Sequence, residues 1–214
     1  ADATRIEGPS LDNSVDTWYW RVDEVLSDGA VIAGDIWEFG KPTLVGYWKM
    51  DESADGIAAD ASGRDHNGSV PGDAAWRPEQ GIQGGAIELD GTDDAVDIDG
   101  LSFTGNNATF TAWIKGQKSS DWSGILFSRG WEAACGMHFG ANNTLHYTWN
   151  NNSSQTYDWD GGPVIPEDQW AFVAVVIRPE KTIAYVYDKQ NGLKSAENPV
   201  PNMPQTVDQL KIGR

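Results

Sequence analysis

Residues 169–192 read QWAFVAVVIRPEKTIAYVYDKQNG. Two apolar runs of strand length, Trp170–Arg178 and Thr182–Asp188, flank the polar turn PEK. Runs that are rich in Val, Ile and aromatic residues and that end at turn residues favour β-strands over helices. Because a turn this short joins antiparallel neighbours, the stretch predicts a β-hairpin with a buried face.

The same pattern recurs along the chain, where short runs are broken by Gly, Asn and Asp and no long helical period occurs. In LHYTWN, alternation places Leu145, Tyr147 and Trp149 on one face of a strand, and His146 and Thr148 on the other. One apolar and one polar face are typical of antiparallel sheets packed as a sandwich. The other predicted strands are Trp18–Val25, Ile32–Phe39, Leu44–Met50, Gly85–Leu89, Ala95–Ile98, Ala108–Ile114, Gly124–Arg129, Gly136–Phe139, Thr144–Trp149 and Gln209–Gly213.

Composition supports a folded chain and excludes several classes of partner. With 15 Lys and Arg against 32 Asp and Glu, the net charge of −17 repels nucleic-acid phosphates and anionic lipid surfaces. No apolar run approaches the roughly 18 residues that span a bilayer. The 11 Trp, 6 Tyr and 6 Phe supply large areas for burial. Cys135 is the single cysteine, so no intrachain disulfide forms, and we predict that it is buried.

A domain boundary is predicted near Lys41 and Pro42. Before it, WYWRVDEVLSDGAVIAGDIWEF, residues 18–39, predicts two strands joined by an Asp-Gly turn. An isolated hairpin is marginally stable in water. The segment resembles the closing strands of fibronectin type III and immunoglobulin-like modules of large secreted bacterial proteins. The resemblance implies that residues 1–42 are the C-terminal part of such a module.

Residues 43–214 form the second predicted domain, which carries an ordered set of landmarks. These are LVGYWKMDE (44–52), ADASGRDHNGSV (59–70), GGAIELDGTDDAVDI (84–98), ATFTAWIKG (108–116) and LKIGR (210–214). The set resembles the laminin-G-like, concanavalin A-like jelly-roll domains of secreted bacterial proteins, whereas the residues alone indicate only an all-β sandwich. The resemblance implies two antiparallel sheets and one further strand after LKIGR. We therefore expect that the domain lacks its last strand, which another chain or a longer polypeptide supplies.

The loop that contains ADASGRDHNGSV is dense in carboxylate, amide and hydroxyl oxygens, the ligands that Ca²⁺ prefers. On composition alone, a solvated acidic turn is the favoured interpretation, and the family resemblance reverses this preference. The family resemblance implies a structural Ca²⁺ at a D-x-S-G-x-x-x-x-G loop, which starts here at Asp60. It assigns Asp60, Asp65 and Asn67 as ligands. A second acidic run, residues 90–100, predicts a surface turn followed by a strand.

Catalytic motifs are scarce. Asp97 and Asp99 fall on one strand face, but nothing else marks them as the carboxylate pair of a glycosidase. His138, His146 and Tyr147 are of types used by polysaccharide lyases, without an arrangement that the sequence reveals. We predict that the chain is not an enzyme.

Sugar binding is the stronger prediction. Aromatic side chains stack on the C–H faces of pyranose rings, and nearby amides and hydroxyls bind the sugar hydroxyls. Aromatic and Asn residues alternate between 121 and 162, and TWNNNSSQTYDWDGG (148–162) predicts a long exposed loop. The proposed ligand-binding residues are Trp122, Trp131, Tyr147, Trp149, Tyr157 and Trp159. By contrast, Trp48, Trp113 and Trp170 lie in apolar strands and are predicted to be in the core.

These observations predict a non-catalytic recognition module that is secreted or on a bacterial cell surface. Its first predicted partner is a polysaccharide or other glycan. The alternatives are an adhesive or assembly contact within a larger extracellular protein, and a purely structural spacer.

Overall fold

The computed structural model describes residues 17–20, 23–26, 28–34, 37–40, 43–54, 56–116, 122–129, 134–149 and 154–213. The chain divides into two compact units, Ala1–Leu44 and Val45–Arg214. In the first, β1 (Thr17–Trp20) pairs with β4 (Trp37–Gly40), and β2 (Glu24–Val25) pairs with β3 (Val31–Ile32), all antiparallel. These pairs form the predicted hairpin. Its membership of a fibronectin-like module stays a prediction.

The second unit is built almost wholly of strands. In chain order they are β5 Ile57–Ala58, β6 Gly68–Ser69, β7 Ala75–Arg77, β8 Ala86–Glu88, β9 Val96–Ile98, β10 Phe103–Gly105, β11 Ala108–Lys115, β12 Gly124–Arg129, β13 Ala134–Phe139, β14 Leu145–Thr148, β15 Trp170–Arg178, β16 Lys181–Asp188, β17 Gly192–Asn198, β18 Gln205–Val207 and β19 Leu210–Ile212. A short 3₁₀ helix, Ala141–Asn143, precedes β14, and the one-turn helix α1, Ser154–Tyr157, follows it. Within the described residues, no helix has the length and apolar character of a membrane-spanning segment.

Two antiparallel sheets account for most of these strands. The seven-stranded sheet has the order β14-β13-β12-β19-β9-β6-β5, and the four-stranded sheet has the order β11-β15-β16-β17. Two small pairs, β10 with β18 and β7 with β8, complete the unit. The predicted all-β sandwich is confirmed, and the stretch that begins at residue 169 forms the β15–β16 hairpin.

The core is formed by side chains on one face of each sheet. Leu145 and Tyr147 of β14 are fully buried, as is Trp149 just after it, and on β15 Val173 and Val175 are fully buried as well. These side chains belong to one apolar cluster. Burial of apolar area on this scale is the main source of stability in such a fold.

Polar groups at the rim of the core are paired. The Trp149 Nε1–H donates to the Met203 carbonyl at 2.9 Å, and the Phe110 and Trp149 ring centroids lie 6.2 Å apart. The Tyr147 hydroxyl accepts from Asn198 Nδ2 at 2.8 Å. Both aromatic side chains are therefore fixed in position as parts of the core.

Cys135 has no exposed surface, which confirms the prediction that it is buried. Removal from water disfavours the thiolate, and this burial raises the pKa of the Cys135 thiol to about 11. The thiol is therefore protonated at neutral pH and is not a nucleophile.

Several features of the local structure differ from the prediction. Leu44–Met50 forms no ladder, because the Tyr47 N–H donates to Asp60 Oδ1 at 2.9 Å and the segment makes only the isolated bridge of Trp48 with Asp60. The strand β17 was missed, because GLKSAEN is polar and an edge strand does not need an apolar face. Trp113 is 43% exposed rather than in the core.

The predicted C-terminal strand is β19, which lies inside the seven-stranded sheet between β12 and β9. Among the described residues, β11 is an edge of the four-stranded sheet. That a further segment completes the sandwich stays a prediction.

Candidate functional site

The outer face of the seven-stranded sheet carries the groove that we consider the candidate site. Alternation along β13 and β14 turns His138, His146 and Thr148 away from the core. In the antiparallel register His138 lies opposite His146, and Gly136 lies opposite Thr148. With a φ of +138°, Gly136 is in a conformation that favours glycine, and a Cβ there would lie 2.3 Å from the Leu126 carbonyl oxygen.

Two adjoining depressions on this face share Trp122, Phe127 and Arg129. Their volumes are about 430 and 410 Å³. The remaining described residues of their linings are Gly124, Ala134, His138, Thr148, Tyr157, Lys211 and Gly213. We call the combined surface the Trp122 groove.

Trp122 is the most prominent side chain of the groove and is 47% exposed. Its φ is +72°, a conformation that is unfavourable for a bulky residue. The segment is held there because the Trp122 N–H donates to the Phe139 carbonyl at 3.0 Å and the Phe139 N–H donates to the Ser123 carbonyl at 2.8 Å. Backbone strain that the surrounding structure maintains is frequent at binding sites.

Aromatic neighbours orient the indole ring. Its centroid lies 5.2 Å from that of His138, 6.2 Å from that of His146 and 6.3 Å from that of Tyr157. Tyr157 comes from α1, which is tied down because Asn198 Nδ2 donates to the Gln155 carbonyl at 2.8 Å. The ring is therefore positioned by its neighbours while nearly half of its surface faces solvent.

His138 forms part of the floor and is 1% exposed. Burial lowers the pKa of His138 to about 4, so the ring is neutral at neutral pH. Its Nδ1 lies 3.2 Å from the Phe139 carbonyl oxygen, which can only accept, so Nδ1 carries the proton. Nε2 then accepts from the Thr148 hydroxyl at 3.2 Å.

Because His138 is buried in its neutral form, we predict that the free energy of unfolding falls in mild acid. The unfolded chain protonates His138 at its ordinary pKa of 6.5 and the folded chain only near 4, so the unfolded state binds more protons between these values. The free energy of unfolding should fall by up to about 3 kcal/mol as the pH falls from 6.5 to 4. Urea unfolding across this range should show the fall, and the variant His138→Gln should have a clearly flatter profile. An equal slope in both proteins would contradict this role of His138.

Two cationic residues lie in the groove of this strongly acidic chain. The Arg129 guanidinium carbon lies 5.5 Å from the Phe127 ring centroid, a cation–π contact. Lys211 forms an ion pair with Asp97 on the neighbouring strand β9. The described residues that line the groove include no Asp or Glu.

The structure brings together two of the six residues predicted to bind sugar, Trp122 and Tyr157. The prediction was wrong for Tyr147 and Trp149, whose side chains are fully buried in the core and cannot reach a ligand. Trp159 is partly buried and packs against Tyr147, with ring centroids 5.6 Å apart. Trp131 lies outside the described residues.

The predicted exposed loop at 148–162 is anchored in its described part, where Thr156 of α1 is fully buried. Phe127, Arg129 and Lys211 were not predicted to belong to the site. Along GILFSR both Ile125 and Leu126 are buried and the register shifts between Gly124 and Leu126, so alternation in the sequence does not by itself assign Phe127 and Arg129 to the outer face.

Two of the three predicted calcium ligands, Asp60 and Asn67, use their side-chain oxygens as hydrogen-bond acceptors within the protein. Asp60 Oδ1 accepts the N–H groups of Tyr47 and Ser62 at 2.9 and 2.8 Å, and Oδ2 accepts the Ser62 hydroxyl at 2.7 Å and the His66 N–H at 3.0 Å. Burial alone would raise the pKa of Asp60, but these donors lower it to about 2. The Asn67 side-chain oxygen accepts the Asp60 N–H at 2.8 Å. Protein donors thus already use these oxygens.

Asp65, the third predicted ligand, is exposed. A different acidic group lies on the loops before β7 and β9, where the carboxylates of Asp73, Asp90 and Asp93 are exposed. One ligand atom from each lies within 4.8 Å of the others. The second acidic run does form a turn followed by a strand, β9, as predicted.

Comparison with known proteins gives one family match. The sequence model of Laminin_G_3, described as the Concanavalin A-like lectin/glucanases superfamily, matches residues 90–214. No curated protein matches the chain in sequence. Among solved structures, domain 4 of AbnA, a GH43 extracellular arabinanase from Geobacillus stearothermophilus in complex with arabinotriose, is similar with a TM-score of 0.46. The identity is 16%, over 73% of this chain and 86% of that chain.

Proposed function

The chain belongs to the concanavalin A-like lectin/glucanase superfamily, and from this premise we propose that it is a non-catalytic carbohydrate-binding module whose ligand lies in the Trp122 groove. The observation that carries the proposal is an indole ring that is 47% exposed and held in place by neighbouring rings above a polar strand face. A pyranose ring presents an apolar C–H face of matching size for such a side chain.

The remainder of the groove supplies the polar half of a sugar site. The Arg129 guanidinium offers hydrogen-bond donors beside the aromatic wall of Trp122 and Tyr157, and the Thr148 hydroxyl, whose hydrogen goes to His138 Nε2, offers an acceptor. A small number of polar groups placed next to aromatic rings is the usual composition of a small-molecule site. The sugar ring therefore stacks on Trp122, and its hydroxyls bind Arg129 and Thr148.

The chemistry of the described lining favours binding without turnover. Glycoside hydrolysis requires two carboxyl groups on opposite sides of the scissile bond. The carboxylate of Asp97, which contacts the groove residue Lys211, is held in that ion pair. Both ring nitrogens of His138 make hydrogen bonds within the fold, which leaves that ring without a free base position.

A second surface supports the alternative function, a protein contact. Trp113, Phe172, Tyr187 and Leu193 are successive cross-strand partners over the outer face of the four-stranded sheet. We call them the outer aromatic row. Trp113, Tyr187 and Leu193 are 43%, 41% and 65% exposed. Exposed apolar surface of this extent is typical of a protein interface.

The rings of the outer aromatic row do not form one flat platform for a sugar chain. The Trp113 ring is inclined by 59° to that of Phe172 and by 84° to that of Tyr187, so the rings do not share a plane on which a chain of sugars could lie. An assembly role predicts oligomers in sedimentation velocity that increase with concentration and are lost in Tyr187→Ser. A monomer at all concentrations would exclude self-association through this row.

The proposal implies a location outside the cytoplasm, on a bacterial surface or in a secreted protein, where polysaccharides are accessible.

Native affinity electrophoresis against a panel of soluble polysaccharides tests the proposed function. We expect that at least one polysaccharide retards the wild-type chain and that long incubation releases no new reducing ends. Failure of every polysaccharide to retard the chain would contradict carbohydrate binding, and release of reducing ends would contradict a non-catalytic role.

A further inference from the structure

The turn at residues 90–94 brings carboxylates together. Asp90 Oδ1 accepts the Thr92 N–H at 2.7 Å, and Gly91 has a φ of +75°. This tight turn returns the chain so that Asp93 faces Asp90, and Asp73 joins them from the loop between β6 and β7. Three exposed carboxylates from two loops therefore converge on one point.

Asp94 is a fourth carboxylate and is 3% exposed. Its Oδ2 accepts the Asp90 N–H at 3.0 Å, whereas its Oδ1 is buried without a hydrogen-bond partner among the described residues. Oδ1 faces Gly72, the residue before Asp73, so closely that a Cβ on Gly72 would lie 2.7 Å from it. The Asp94 carboxylate is thus held between the two loops that carry the three exposed carboxylates.

This arrangement lacks a counter-charge within the protein. None of the ion pairs formed by the described residues includes any of the four carboxylates. Clustered carboxylates repel one another, and a buried carboxylate with one unpartnered oxygen is costly in free energy. A divalent cation between the loops offsets the repulsion among the exposed carboxylates, because it neutralises them. It also attracts the buried charge of Asp94.

We propose that Asp73, Asp90 and Asp93 bind a Ca²⁺ ion and that Asp94 stabilises the same site from its buried side. Ca²⁺ prefers oxygen ligands and accepts waters in the remaining positions of its flexible coordination sphere, which suits a site with three exposed carboxylates. The ion joins the loop before β7 to the turn before β9. Both Asp60 oxygens accept two protein donors each, whereas Asp90 Oδ1 accepts the Thr92 N–H and the turn leaves its carboxylate exposed to a cation, so the proposal places calcium at Asp90 rather than at Asp60.

Titration calorimetry with Ca²⁺ on the whole chain, after removal of metal with EDTA, tests the site. We expect one site in the wild type, binding at least tenfold weaker in Asp93→Asn, and unchanged binding in Asp65→Asn. Asp65 is a matched control because it is also an exposed aspartate, carries the same charge and lies outside the cluster. Wild-type affinity in Asp93→Asn, or lost affinity in Asp65→Asn, would overturn the assignment.

The isosteric variant Asp94→Asn tests the buried carboxylate. Circular dichroism in EDTA should show that it folds, because the amide removes the buried charge and preserves the shape. Calcium raises the Tm of a protein that binds it only when folded. We expect a clear increase in the wild type and little or none in Asp94→Asn. No increase in the wild type at millimolar Ca²⁺, or an equal increase in Asp94→Asn, would contradict the proposal.

Discussion

Replacing Trp122 with Ala weakens binding of a retarding polysaccharide by roughly thirtyfold, which corresponds to the loss of about 2 kcal/mol that is typical of an aromatic hot spot. The ring stands 47% exposed at the groove, so its removal takes away the stacking surface without opening the core. Titration calorimetry of wild type and variant with the same polysaccharide measures the ratio of the dissociation constants. Urea unfolding should show that the two proteins differ little in stability.

Trp113→Ala is the matched control for this experiment. Trp113 is 43% exposed, also lies on the outer face of a sheet, and belongs to the outer aromatic row rather than to the groove. If the Trp122 groove is the binding site, Trp113→Ala binds the polysaccharide with unchanged affinity. The reverse result, with affinity lost in Trp113→Ala and kept in Trp122→Ala, would move the sugar site to the four-stranded sheet.

Trp149→Ala destabilises the fold by about 3–5 kcal/mol, the range for removal of a large buried aromatic side chain. Trp149 has no exposed surface, lies 6.2 Å from Phe110 between ring centroids, and donates its indole N–H to Met203. The variant loses the apolar contacts and leaves the Met203 carbonyl without this donor. Urea unfolding at neutral pH measures the change.

Trp149→Phe keeps the experiment informative if Trp149→Ala does not fold. It retains most of the ring volume, and we expect an intermediate loss of stability with wild-type affinity for the polysaccharide. A Trp149 variant with wild-type stability and lost affinity would contradict the core assignment and restore the loop interpretation from the sequence.

Apolar runs, turn residues and alternation together predicted most of the fold. The β15–β16 hairpin follows from two apolar runs on either side of a short turn, and the buried face of β14 follows from alternation along that strand. Leu44–Met50 is also a mostly apolar run but forms no ladder, because its backbone bonds to Asp60 rather than to a strand. When a side chain accepts the backbone hydrogen bond that a neighbouring strand would otherwise accept, the local sequence pattern does not show it.

The sequence predicted only part of the candidate site, because a local pattern does not show which distant segments pack together. The run from Thr148 to Gly162 was interpreted as one exposed loop, although alternation already grouped Tyr147 and Trp149 with the core residue Leu145. Trp122 and Tyr157 are far apart in sequence, and their contact depends on α1 packing beside β14. The density of acidic residues pointed to calcium at Asp60, but only the structure shows that backbone and hydroxyl donors occupy that carboxylate.

A crystal structure of the chain with a short oligosaccharide, taken from a polysaccharide that retards it, tests carbohydrate binding in the Trp122 groove most directly. We predict one sugar ring stacked on Trp122, at the roughly 4 Å of van der Waals contact, with a hydroxyl bound near Thr148 or Arg129. An oligosaccharide bound on the outer aromatic row, with the Trp122 groove empty, would contradict it.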